Sequence, residues 1–152
     1  MPPRSIVVAF DGTPESTHAL QEAADLARLV GARLSIVGVV PLVSSGFGTH
    51  MPTGEGVTAA LAATRSLLDA ERARLEASGV AHVESEVLEG DPVAAVVGYV
   101  EKRSVDLVVV GSRGLDAVGR FFLGSVSDGI LHYAGCSVLV VKPARSSDSG
   151  RR

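Results

Sequence analysis

The residues most suited to binding chemistry lie in one segment, GSRGLDAVGRFFLGSVS at 111–127, which directly follows the apolar run VDLVVV. Glycine in a loop costs conformational entropy, so its repeated use there indicates that backbone amides come close to a ligand. The hydroxyls of Ser125 and Ser127 add hydrogen-bond donors, and the guanidinium of Arg113 adds positive charge. Amides, hydroxyls and a cation together favour an oxyanion, and phosphate is the obvious candidate.

The glycines of this segment follow a fixed spacing, G-x2-G-x9-G-[ST], which is met by Gly111, Gly114, Gly124 and Ser125. The spacing alone is only moderately specific, but it stands after a buried strand and before a helix. A helix start presents unpaired N–H groups that favour an anion. One alternative stays open, in which Ser127 only caps the helix and Gly124 only eases a tight turn.

Strand-like and helix-like runs alternate along the chain, which predicts an α/β fold with a parallel sheet covered by helices on both faces. The segment 82–89 alternates apolar and charged residues and predicts an edge strand with one wet face. The remaining strands are expected to be buried on both faces, because their runs are almost continuously apolar. They are 5–10, 33–40, 105–111 and 137–142.

Four helices are predicted, and two of them begin with clear sequence signals. Thr13 can cap the first helix, Pro14 suits its first turn, and Gly31 can end it. Asp91 and Pro92 open the third helix in the same way. The second and fourth helices are predicted at about 57–78 and about 127–134, each ending before a glycine.

One domain over 1–144 is the simplest organisation, because a chain of 152 residues can bury about 70% of its unfolded surface. The polar tail at 145–152 has nothing to bury and is expected to be mobile. The segment 41–56 is rich in glycine and proline, and a loop of that length is either a functional lid or disordered.

Composition argues against several partners. A net charge of −3 gives no general attraction to nucleic acid or anionic membranes, and 4% aromatic residues do not supply a stacking platform for single strands. The lone Cys136 fits a reducing compartment and is expected in the core. The apolar run before Asp11 is too short for a signal peptide or a membrane span, so we expect a cytoplasmic protein.

Two strands of the predicted sheet end in residues suited to a ligand. The first runs into Asp11 and Gly12, and the fourth runs into Gly111. Ligands of open parallel sheets bind outside the carboxyl ends of the strands, where the strand order reverses. If these two strands are neighbours, the carboxylate and the glycine segment face one crevice.

At this point the chain closely resembles the universal stress protein family, in its nucleotide-binding branch. The resemblance is carried by IVVAFDGTPES, by GDP before the third helix, and by VVVGSRG and LGSVSDGILHYAGCSVLVVK. It implies a Rossmann-like α/β sandwich with a five-stranded parallel sheet in the order 3-2-1-4-5. That order makes strands one and four neighbours, as the crevice requires.

The resemblance also implies a site for an adenine nucleotide. Asp11 corresponds to the family's acidic residue near the adenosine end, and the backbone of Val39 or Val40 would read adenine. Val110 and Gly111 would lie against the ribose. Two residues beside Asp11 complete this part of the implied contact set, Ala9 and Gly12.

The implied cofactor is ATP, with Mg²⁺ on its phosphates. The family usually forms homodimers by pairing its fifth strands, here 137–142, and acts through protein partners. No residue is a convincing general base for hydrolysis, so turnover is expected to be slow or absent. The implied phosphate contacts are Arg113, Gly114, Gly124, Ser125, Val126 and Ser127.

Two alternative functions use the same scaffold. The chain could be a slow ATP hydrolase or an adenylyl-transferring enzyme, or it could be a nucleotide-free dimerisation module whose glycines serve only packing. A P-loop ATPase is excluded in its usual form, because the sequence has no GxxxxGK[ST]. The four histidines lack the spacing of metal ligands, and Ser112 does not stand in a G-x-S-x-G elbow.

Overall fold

The computed structural model describes residues 1–42, 54–112 and 123–142. Within them, five parallel strands lie in the order β3-β2-β1-β4-β5, which confirms the predicted α/β fold and makes β1 and β4 neighbours. The elements follow in chain order as β1 (Ser5–Ala9), α1 (Pro14–Val30), β2 (Arg33–Val40), α2 (Gly54–Ala77), β3 (Val83–Glu89), α3 (Pro92–Arg103), β4 (Leu107–Gly111), α4 (Ser125–Tyr133) and β5 (Ser137–Val141).

Each face of the sheet carries two helices and its own apolar core. Side chains alternate between the two faces along a strand, so neighbouring residues of β1 enter different cores. Ile6 and Val8 pack with α1 and α2 on one face. Val7 and Val108 pack with α3 and α4 on the other. This two-sided covering explains why the central strands are apolar without interruption.

Two helices start as their sequences predict. Thr13 caps α1, and its hydroxyl oxygen accepts a hydrogen bond from the amide of Ser16 at 3.3 Å. Asp91 caps α3, and its carboxylate accepts from the amide of Ala94 at 2.9 Å. Gly31 ends α1 with a left-handed φ of 70°. Each cap satisfies an amide that would otherwise lack an intrahelical partner.

The other two helices begin earlier than predicted. α2 starts at Gly54, so the end of the predicted loop 41–56 is helical, while 43–53 lies outside the described residues. α4 starts at Ser125, because Gly124 adopts the extended cap conformation with φ −64° and ψ 157°. The alternative in which Ser127 caps this helix is therefore wrong.

The two edges of the sheet differ in how well their sequences predicted them. β3 lies at one edge, as its alternating pattern indicated. β5 lies at the other edge, where Ser137 is exposed and Leu139 is 39% exposed. The prediction that 137–142 is buried on both faces is wrong for the single chain, because an edge strand with one neighbour is less covered than a central one.

No helix in 1–42, 54–112 or 123–142 combines the length and the apolarity that crossing a bilayer requires. The predicted mobile tail at 145–152 lies outside the described residues. Cys136 is only half-buried, packed against the α3 and α4 core.

Candidate ligand-binding site

A cavity of about 470 Å³ opens at the carboxyl edge of the sheet. Its size falls within the range of about 300–1,000 Å³ that is usual for small-molecule sites. The walls come from the ends of β2, β1 and β4 and from the starts of α1, α3 and α4. This is where open parallel sheets bind their ligands, and it is the crevice that the adjacency of β1 and β4 predicts.

Most of the predicted contact residues that the structure describes line this cavity. Three of them, Gly12, Val40 and Ser125, lie outside its wall. Val40 is buried, with only 5% of its surface exposed. Side chains alternate along β2, so Val39 faces the cavity and Val40 faces away. Arg113 and Gly114 lie outside the described residues. The predicted residues in the wall are Ala9, Asp11, Val39, Val110, Gly111, Gly124, Val126 and Ser127.

The part of the cavity near β2 and α3 is apolar. Val37 and Val39 come from β2, and Pro92 and Val96 come from α3. The sequence prediction missed Val37, Pro92 and Val96, because nothing local shows that the start of α3 returns to the end of β2. An apolar slot of this kind suits a flat ring system.

At the end of β1, the Asp11 carboxylate is held in place by Thr13. Its Oδ1 accepts a hydrogen bond from the Thr13 hydroxyl at 2.6 Å and another from the Thr13 amide at 3.0 Å. Desolvation raises the pKa of Asp11, but hydrogen bonds from Thr13 and Ser16 lower that pKa by more, so it lies below its usual value. Asp11 therefore presents an ionised acceptor, suited to hydroxyl or amine donors.

The start of α4 faces the cavity, and its cap residue, Gly124, has no side chain. Gly124 and Val126 line the wall, and no side chain accepts a hydrogen bond from the first-turn amides within the described residues. Thr13 and Asp91 supply such bonds in α1 and α3. The amides of the first turn and the helix dipole make this corner of the cavity favourable for an anion.

Ser127 links α4 to the end of β4. Its Oγ donates a hydrogen bond to the carbonyl oxygen of Gly111 at 2.6 Å, and the residue is 8% exposed. The sequence showed Ser127 as a possible cap or ligand donor. Its actual partner lies in a different element, so no local pattern could reveal it.

Gly111 is glycine for a packing reason. A Cβ built on it would lie 2.6 Å from the carbonyl oxygen of Glu15, in the first turn of α1. Glu15 also lines the cavity. The glycine spacing indicates that a close contact is made at this position. At Gly111 that contact is made by the backbone of the first turn of α1.

Ser112 has a structural role. It is fully buried, and both its amide and its hydroxyl donate to the carbonyl oxygen of Val141, at 3.1 and 3.2 Å. A hydroxyl committed in this way does not serve as a nucleophile.

The described residues contain no cluster of three or more His, Cys, Asp or Glu side chains arranged to hold a metal ion.

Comparisons with known proteins agree with this architecture. The sequence profile of the universal stress protein family matches residues 3–142. A universal stress protein from Thermus aquaticus, encoded beside a QAH/OAS sulfhydrylase, is 35% identical over 142 residues, covering 91% of this chain and 98% of its own.

Solved structures give the same fold. The universal stress protein UspA from Lactobacillus plantarum superimposes with a TM-score of 0.76 at 21% identity, over 91% of this chain and 97% of its own. A universal stress protein crystallised in complex with cAMP superimposes with a TM-score of 0.71 at 29% identity, over 93% of this chain and 98% of its own.

Proposed function

The chain belongs to the universal stress protein family, and from this premise we propose that it binds an adenine nucleotide in the cavity at the carboxyl edge of its sheet. The proposed ligand is ATP, with Mg²⁺ on its phosphates. A family member of the same fold has been crystallised with cAMP, which supports the adenine nucleotide class. AMP and cAMP share the adenosine and one phosphate with ATP, so the test below includes them.

The observation that carries this proposal is the uncapped start of α4. Within the described residues, no side chain accepts a hydrogen bond from the amides of the first helical turn, which includes Val126 and Ser127, and the helix begins at the wall of a cavity. α1 and α3 also begin at this cavity, yet Thr13 and Asp91 cap them. A phosphate oxygen at α4 would accept hydrogen bonds from these amides, which is a general mode of phosphate binding.

The order of the strands gives the nucleotide a direction. The apolar slot is built at β2, the Asp11 carboxylate stands at β1, and the uncapped helix follows β4. Neighbouring strands are about 4.8 Å apart, so about 10 Å separates the ends of β2 and β4. We therefore place adenine at Val39, the ribose near Val110, and the phosphates at Gly124 and Val126.

The proposed role is binding with little or no turnover. A general base works best when its pKa lies near the operating pH. Hydrogen bonds from Thr13 hold the pKa of Asp11 below its usual value, which makes its carboxylate a weak base. Release of phosphate or AMP in the steady state, well above the rate of cavity variants, would favour a hydrolase or an adenylyl-transferring enzyme instead.

The proposal includes a cytoplasmic homodimer formed through 137–142. β5 is an edge strand, and Leu139 on it is 39% exposed. Leu131 and Tyr133 on α4 are 48% and 68% exposed. Exposed apolar side chains beside an open strand edge are typical of a self-association surface. Sedimentation equilibrium tests this part, and Leu139→Lys should shift a dimer to the monomer.

Calorimetric titration tests the central part of the proposal. We expect saturable binding of ATP, in the presence and absence of Mg²⁺, and the same titration with AMP and cAMP identifies the preferred ligand. Ala9 is half-buried in the cavity wall, so Ala9→Leu places added side-chain volume inside the cavity. This substitution should abolish binding while the protein stays folded.

The matched control is Ala59→Leu. Ala59 is exposed on α2 and does not line the cavity, so the same added volume should leave binding unchanged. Absence of saturable binding by the wild-type protein with all three nucleotides would reject the proposed function. Equal loss of binding in both leucine variants would reject the proposed location.

A further inference from the structure

We propose that Ser127 is a positioning residue, whose hydroxyl fixes the start of α4 on the end of β4 so that main-chain amides point at the nucleotide's phosphate. The inference rests on the proposed function and assigns to Ser127 a role other than direct phosphate contact. It follows from the hydrogen bond that Ser127 makes, from the rigidity of its acceptor, and from the glycine at the cap position of α4, which has no side chain.

The hydroxyl of Ser127 is already committed. Its Oγ donates to the carbonyl oxygen of Gly111 at 2.6 Å, at the short end of hydrogen-bond distances between oxygen atoms, and the residue is 8% exposed. A serine hydroxyl has a single proton. An ionised phosphate oxygen only accepts hydrogen bonds, so Ser127 cannot donate to the phosphate while it donates to Gly111.

The acceptor of this bond is held from two other directions. Gly111 pairs with Val141 across the sheet, and the next residue, Ser112, donates twice to the carbonyl oxygen of Val141. The first turn of α1 packs directly on Gly111, where a Cβ would lie 2.6 Å from the carbonyl oxygen of Glu15. A carbonyl fixed in this way is a suitable anchor for a helix start that must hold its amides in place.

The position of Ser127 in α4 explains why the bond is useful. Ser127 is the third residue of the helix, where its amide would normally bond to a capping side chain. The cap residue here is Gly124, which has no side chain, and the amide of Asp128 bonds to the Gly124 carbonyl at 2.8 Å. The Ser127 hydroxyl therefore stabilises the first turn without occupying any of its amide donors.

The test compares AMP with adenosine, which lacks the phosphate. In Ser127→Ala, binding of AMP should weaken about tenfold, the effect of losing roughly 1.4 kcal/mol of hydrogen-bond stabilisation. Binding of adenosine should stay within about twofold of wild type. A general loss of structure would weaken both ligands equally, so the difference between them reports on the phosphate end alone.

Hydrogen exchange in the ligand-free protein separates positioning from direct contact. The amide of Asp128 closes the first turn of α4, and its exchange should become faster in Ser127→Ala before any ligand is added. Ser66→Ala is the matched control, because Ser66 is an exposed helical serine on α2 outside the cavity. It should change neither ligand affinity nor the exchange of Asp128.

A second pair of variants keeps the proposal testable if Ser127→Ala does not fold. Threonine and valine have nearly the same shape, and only threonine has a hydroxyl. Ser127→Thr should retain AMP affinity and the slow exchange of Asp128, and Ser127→Val should lose both.

Two results would overturn the inference. Unchanged AMP affinity in Ser127→Ala shows that the hydroxyl is not needed. Weaker AMP binding with unchanged exchange of Asp128 in the ligand-free protein shows that Ser127 contacts the phosphate directly. Failure of the wild-type protein to bind any of ATP, AMP and cAMP is a different result, because it removes the proposed function itself and the positioning role with it.

Discussion

Gly111→Ala tests whether packing dictates glycine at the end of β4. The added Cβ would lie 2.6 Å from the carbonyl oxygen of Glu15, 2.8 Å from its carbonyl carbon and 3.2 Å from the amide nitrogen of Ser16. Carbon atoms normally approach to about 3.5 Å, so the first turn of α1 would have to move by roughly 0.7 Å or more. All the obstructing atoms are backbone, so no change of rotamer relieves the clash.

We expect Gly111→Ala to lower the free energy of unfolding by about 1–2 kcal/mol. Overpacking in a close-packed region costs about 1–3 kcal/mol. Loss of glycine's freedom in the unfolded chain offsets about 0.4–1 kcal/mol of that cost. Urea unfolding of the ligand-free protein, followed by circular dichroism, measures the net change.

Gly98→Ala is the control for this measurement. Gly98 lies inside α3, and a Cβ built on it meets nothing within 4 Å. Alanine there should raise the free energy of unfolding by about 0.5–1 kcal/mol, because glycine is a poor helix former. If Gly111→Ala were as stable as wild type while Gly98→Ala showed its gain, contact with α1 would not be the reason for the glycine.

Three further predictions concern groups at the ends of strands and helices. Thr13→Ala should lower the free energy of unfolding by about 1 kcal/mol through the lost cap, and NMR titration should show the pKa of Asp11 rising toward its usual 3.8. The amides of Arg4 and Ser5 donate to the Asp106 carboxylate and lower its pKa below 3.8. The stability that Asp106 confers is therefore present above pH 3.8 and is lost as the pH falls through the lowered pKa. The difference in unfolding free energy between wild type and Asp106→Asn should shrink in acid titrations below pH 3.8. Burial raises the pKa of the Cys136 thiol above 9.0, so iodoacetamide at mildly alkaline pH should alkylate the folded protein more slowly than the urea-unfolded chain.

The sequence predicted most of the fold, because the signals that define it are local. Thr13 and Asp91 each stand directly before a proline and a helical apolar pattern, so the sequence is enough to locate the cap. The alternation of charged and apolar residues in β3 identified an edge strand in the same way. β5 lacked such a pattern, and its edge position was available only from the family resemblance.

The site was harder to predict, because its contacts join distant parts of the chain. The carboxylate of Asp11 and the glycine at 111 were found from their places after strands, which is a local signal. The partner of Ser127 lies in β4, and the backbone that requires Gly111 lies in α1. Pro92 and Val96 reach the cavity only because α3 packs near the end of β2.

An amide NMR titration of the wild-type protein with AMP tests the central claim most directly. We predict that the largest shifts fall on the amides of 124–127 and Gly111, with smaller changes at Val39 on β2. Shifts centred away from this edge of the sheet, for example at Arg33 and His82 at its opposite end, would contradict the account. So would a spectrum that ATP, AMP and cAMP all leave unchanged.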